Sequence, residues 1–81
     1  MPTFAAHFPD DLIRAQQEWH DTYRALAVPC PRRTELRRRL LHLSVRIEAH
    51  PFWSTPAGRT PAARVELRRR AGASRRAEGA A

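Results

Sequence analysis

The chain contains no lysine, and all fifteen of its basic side chains are arginine. Cysteine occurs once, at Cys30, so no internal disulfide can form, and a reducing compartment suits the lone thiol. Glycine is confined to Gly58, Gly72 and Gly79, which excludes a glycine-rich phosphate loop. No apolar run approaches the roughly 18 residues that a membrane span requires. The opening "MPTFAAHFPD" has no basic segment followed by an apolar core, so it does not read as a secretory signal. The expectation is a cytoplasmic protein with no membrane role. Large apolar residues are also scarce: Leu, Ile, Val, Phe, Trp and Tyr make up under a quarter of the 81 residues. That is enough for one small domain with a core near the lower limit of independent stability. Small unstapled domains of this kind are often completed by a partner or a second copy.

The constellations that carry chemistry are missing as well. His7, His20, His42 and His50 contain no i,i+4 pair, and Cys30 has no close-spaced companion, so no zinc signature arises. Asp10 and Asp11 are adjacent and suit the start of a helix better than an acid/base pair. Nothing in the spacing supports a Cys30–His nucleophilic pair. The sequence therefore predicts no enzyme, no cofactor and no metal.

What is present is charge, unevenly placed. Residues 1–31 carry Arg14 and Arg24 against Asp10, Asp11, Glu18 and Asp21, a balance of −2. Residues 32–81 carry thirteen Arg against Glu35, Glu48, Glu66 and Glu78, a balance of +9, which gives the overall +7. Such asymmetry suggests a polyanionic partner or a solvated basic surface.

The periodicity predicts three helices and an all-α fold. The first runs over about 9–27, with Pro9 at its first position, Asp10 and Asp11 facing its positive end, and a stop before Val28-Pro29. Leu12, Trp19, Tyr23 and Leu26 form its apolar stripe, interrupted by Gln16. The second helix runs over about 34–49, with Thr34 as a candidate N-cap and Pro51 enforcing the end. Leu36, Leu40, Leu43 and Ile47 make its main stripe, and Leu41 and Val45 a second strip on the far side. The short "VPCPRR" link makes the two helices an antiparallel hairpin, with Trp19 near Leu43 and Leu12 near Ile47. Phe4, Phe8, Phe52 and Trp53 are expected to close its open end. A shorter third helix is expected over about 61–71, capped by Thr60, started by Pro61 and ended by Gly72. Its thin face of Ala63, Leu67 and Ala71 is expected in the groove beside Leu41 and Val45. One domain, residues 1–71, is then followed by a disordered basic tail, 72–81.

The pentapeptide "ELRRR" occurs at 35–39 and again at 66–70. The apolar surroundings differ, so the two copies are not a structural repeat. Both fan arginines around a helix. Candidate polyanion-binding residues are Arg37, Arg38, Arg39, Arg46, Arg64, Arg68, Arg69 and Arg70. The corresponding function is a non-enzymatic binding module that contacts a DNA or RNA backbone without reading bases. The alternative is a protein-interaction or oligomerising module, with Leu41, Val45 and Trp53 as candidate interface residues and another protein or a second copy as partner. Whether Arg39 and Arg68 face the same side separates a phosphate-binding strip from a merely solvated basic surface.

The segments "LSVRIEAHPFWST" (43–55) and "PAARVEL" (61–67), with the N-terminal "LIRAQQEWHDTYRAL", resemble small uncharacterised helical proteins of actinomycetes. The Arg-rich, Lys-free composition fits a GC-rich genome of that kind. The resemblance implies a helix ending in His50-Pro51-Phe52-Trp53 and then an Ala-Arg helix. No activity is attached to that group, so it brings no catalytic residues.

Overall fold

A computed structural model describes the backbone of residues 8–80 and the side chains of residues 8–73. It contains helix α1 (Asp10–Leu26), helix α2 (Arg33–Glu48), a 3-10 turn (Pro51–Ser54) and helix α3 (Pro61–Ala80). No helix among the described residues is long and apolar enough to cross a membrane.

Local chemistry sets the element ends. The Pro9 carbonyl accepts the Leu12 and Ile13 amides and starts α1, while Asp10 and Asp11 occupy its first turn. Helix α2 begins at Arg33, one residue before Thr34, and Arg32 at its N-cap position offers no side-chain cap. Instead the Arg32 guanidinium reaches forward to Glu35 at 3.0 Å, an exposed pair in the first turn. His50 then leaves helical geometry ahead of Pro51.

The hairpin is antiparallel as expected, and polar contacts fix its register. The Trp19 indole N–H donates to Ser44 Oγ at 2.8 Å, and Ser44 in turn donates to the Leu40 carbonyl. At the other end the His50 ring bridges the two helices. Its Nδ1 accepts the Phe52 amide, which leaves Nε2–H to donate to the Asp11 carboxylate at 3.0 Å. Two opposite demands on the two ring nitrogens define the neutral tautomer. The aromatic closure also forms: Phe8 and Phe52 meet at 5.0 Å, and Phe52 meets Trp53 edge-on at 5.5 Å. Phe4 lies outside the described residues.

The third helix departs from expectation in place and in length. It packs on α1, not in the groove beside Leu41 and Val45. Ala63, Leu67 and Ala71 are buried to within 1 % there, and Leu67 joins Phe8, Leu12, Ala15, Ile47 and Phe52 in one core. The reason is steric and chemical. Ala63 and Ala71 let the α3 backbone approach α1 closely, while α2 already spends its leucine stripe on the other flank of α1. The polar Gln16, read as an interruption, is buried and bonds His20 at 3.2 Å. Tyr23, expected in the hairpin core, stacks on Trp19 from outside and stays 58 % exposed. Helix α3 also continues through Gly72 to Ala80, so it is the longest of the three. An interior glycine costs a helix only about 1 kcal/mol, and its alanine neighbours favour continuation. The tail expected to be disordered over 72–81 is thus helical in its backbone as far as Ala80, and residue 81 lies outside the described residues.

The result is close to a single layer of helices, 46 × 31 × 18 Å, with α1 in the middle. Both flanks of α1 are covered, and α2 and α3 each keep an outward edge.

Candidate interaction surface

The arginines do not gather on one side. Arg39 of α2 pairs with Glu18 of α1 at 3.1 Å. Arg68 of α3 lies by His20 of α1, whose pKa is held below the usual histidine range by burial first and by the charges of Arg24 and Arg68 next. Glu18 and His20 point about 200° apart around α1. Arg39 and Arg68, one from each "ELRRR", therefore sit on opposite flanks of the middle helix, and no single strip joins them.

Half of the candidate arginines are already matched. Arg64 pairs with Glu48 and covers the Trp53 ring at 4.6 Å, which ties α3 to the end of α2. Arg69 and Arg70 both hold Glu66, at 2.6 and 2.9 Å, and Arg70 also lies over the Phe8 ring. The Arg69 hydrogen bond comes first among the causes that pull the Glu66 carboxyl down to about 2. Its depressed folded-state value means that the contribution is full above about pH 4.5 and is lost as pH falls towards 2. A thermal-denaturation series from about pH 6 to pH 2.5 tests this. Wild type loses Tm progressively below pH 4.5, Glu66→Gln has a flatter profile, and the gap between the two narrows at the acid end.

Arg37, Arg38 and Arg46 on α2, and Arg68 on α3, have no carboxylate in salt-bridge range among the described residues. Arg38, Arg39 and Arg46 surround Glu18 and His42 along the α2 edge. This is the remaining basic concentration, and it belongs to one helix.

The same edge carries apolar surface. Leu41 is 67 % exposed and Val45 59 % exposed, one helical turn apart. A shallow hollow on one side of Val45 is lined by Arg38, Leu41, His42 and Arg46. A second hollow on its other side is lined by Ser44, Glu48 and Ala49. Trp53, the third candidate interface residue, is placed differently. Its indole N–H donates to the Ile47 carbonyl and Arg64 covers its ring, so it seals the hairpin end. The Ser44 and His50 bridges escaped the sequence reading. Ser44 lies between two apolar residues of α2, and only the folded register shows that its hydroxyl meets Trp19.

A family model described as a domain of unknown function (DUF8825) matches residues 11–70, and the chain belongs to that family. Its bounds take in most of the packed unit, from Asp11, which holds His50, to Arg70, which holds Glu66, and leave out only Phe8 and Ala71 of the buried apolar residues. No curated protein and no solved structure matches.

Proposed function

We propose that this member of the family is a non-enzymatic protein-interaction module that docks its partner on the outer edge of α2. The observation that carries the reading is the pair Leu41 and Val45. Two adjacent apolar side chains are left in water at mid-helix, in a domain that otherwise has few large apolar residues to spare. Arg38, Arg46 and Glu48 frame them, the arrangement of a small apolar centre with a charged rim. The setting belongs to the same proposal: a reducing actinomycete cytoplasm, suggested by the single Cys30, the Lys-free composition and the sequence resemblance.

Thiol footprinting tests the docking edge. Leu41→Cys and Val65→Cys are each made in a Cys30→Ser background. Val65 is 63 % exposed on α3 and serves as the control. In cells, a permeant maleimide is expected to label position 41 at least fivefold more slowly than in dilute purified protein, and position 65 equally in both. Equal labelling of position 41 in the two settings overturns the reading.

A second reading rests on Arg38 and Arg46, which share one side of α2 and lack carboxylate partners among the described residues. They can contact phosphates of a DNA or RNA backbone. Two such contacts give a log–log salt slope of roughly −2. Absence of binding at about 50 mM salt, where phosphate-driven affinity is greatest, excludes this reading.

A further inference from the structure

We infer that the occupant of the α2 edge is a second copy of this chain, packed antiparallel through α2 about a two-fold axis level with residue 43, on the face away from the Leu43 side chain; this rests on the docking reading above. Along α2, Thr34, Arg38, Leu41, Val45 and Glu48 follow alternating steps of four and three residues. That is the spacing of a two-helix seam. At about 100° per residue the five lie within a sector of roughly 80°, opposite the buried Leu43 and Ile47. The seam is separate from the core stripe, and no described element covers its apolar centre.

The order of residues in the seam selects the occupant and its direction. Leu41 and Val45 lie two positions either side of residue 43, and Arg38 and Glu48 lie five positions either side. A two-fold axis at that point places Leu41 of one copy against Val45 of the other, twice. It places Arg38 of one copy against Glu48 of the other, also twice. The interface is isologous, with an apolar centre and an ion pair at each end. The parallel arrangement instead sets Arg38 against Arg38 and Glu48 against Glu48, which is repulsive in both layers. Glu48 already holds Arg64 of its own chain through an exposed pair. A second arginine is compatible with that, as Glu66 shows by holding both Arg69 and Arg70. The hollows beside Val45 receive Leu41 of the second copy.

The seam is short. A helix of 16 residues spans about 24 Å. One such contact buries less than the roughly 800 Å² per partner of a standard interface. The dimer is therefore expected to be concentration-dependent, with dissociation in the micromolar range or weaker. Salt acts on it in two directions, since it screens repulsion between two chains of +7 and also weakens the end pairs. Charge reversal is the cleaner test.

Sedimentation velocity on the full chain, from about 10 µM to 1 mM, reads the outcome, with circular dichroism confirming the helices of each variant. Wild type is expected to shift from monomer to dimer across that range. Leu41→Glu, at an exposed position, is expected to remain monomeric with unchanged helicity. Arg38→Glu alone and Glu48→Arg alone are each expected to raise the dissociation constant about tenfold. The double variant Arg38→Glu/Glu48→Arg is expected to return to within about threefold of wild type, because antiparallel packing re-forms both pairs. A strict monomer at 1 mM, a dimer indifferent to Leu41→Glu, or a double variant no better than the singles overturns the proposal. A strict monomer whose position 41 is still shielded in cells leaves the docking reading standing and assigns the edge to a different protein. Unshielded labelling removes the docking reading itself.

Discussion

Leu67→Ala is expected to destabilise the protein by about 3 kcal/mol, within the usual range for emptying a fully buried leucine site. Leu67 is 1 % exposed and lies where α3 meets the core of α1, Phe8 and Phe52. It is the one large side chain on a stripe otherwise made of alanine, so no neighbour on α3 can fill the space. A domain of this size has total stability of about 5–10 kcal/mol, so the loss takes a large share of it. The same truncation at Leu41, which is 67 % exposed, is expected to change stability by less than about 0.5 kcal/mol in dilute solution. Urea unfolding of the two variants checks the pair. Equal losses would mean that α3 does not lean on α1 as described. The contrast separates the leucine that builds the fold from the exposed leucine proposed here as a docking residue, although each stands in its helix among arginines.

Gly58→Ala is expected to cost about 2–3 kcal/mol, a large effect for one added methyl group. Gly58 is buried, and a Cβ there overlaps the carbonyl of Phe52. That carbonyl is engaged by the amide and the hydroxyl of Thr55, and the Thr55 hydroxyl oxygen in turn accepts the Gly58 amide. The obstacle is backbone held in a hydrogen-bonded turn, and Phe52 itself belongs to the core, so neither side yields without moving the aromatic closure. Thermal unfolding of Gly58→Ala beside Ala57→Gly distinguishes this close approach from a general effect on loop flexibility. Only the first is expected to lower Tm markedly.

Much of the architecture was legible in the sequence. The proline positions and the leucine stripe of α2 mark the hairpin, its direction and its approximate register. The aromatic closure follows from placing "HPFW" beside the start of α1. The site of α3 was not legible, and the reason is physical. Ala63, Leu67 and Ala71 form a face that fits any close-approach groove, and the flank of α1 that carries Gln16 and His20 is more polar than the Leu41–Val45 strip. Apolar pattern alone therefore favours the exposed strip on α2. Gly72 misled for a related reason, since the sequence identifies a glycine that is able to end a helix, not one that must. Tyr23 fits the stripe by spacing, yet it lies outside the ring of Trp19, which reaches Ser44 first. As for the surface, the eight arginines were visible, but their carboxylate partners were not. Glu18, Glu48 and Glu66 pair with four of them through folding, and only the fold separates Arg39 from Arg68.

The surface therefore turns on an apolar centre with charges around it, on the outer edge of one helix. Site-specific photo-cross-linking tests that claim most directly. A benzophenone amino acid is placed at position 41 or, separately, at position 65, and the protein is irradiated in the cells that make it. The expected result is one discrete adduct from position 41, at about twice the mass of the 9.3 kDa chain, and none from position 65. No adduct from position 41, or the same adducts from both positions, would contradict a docking edge on α2.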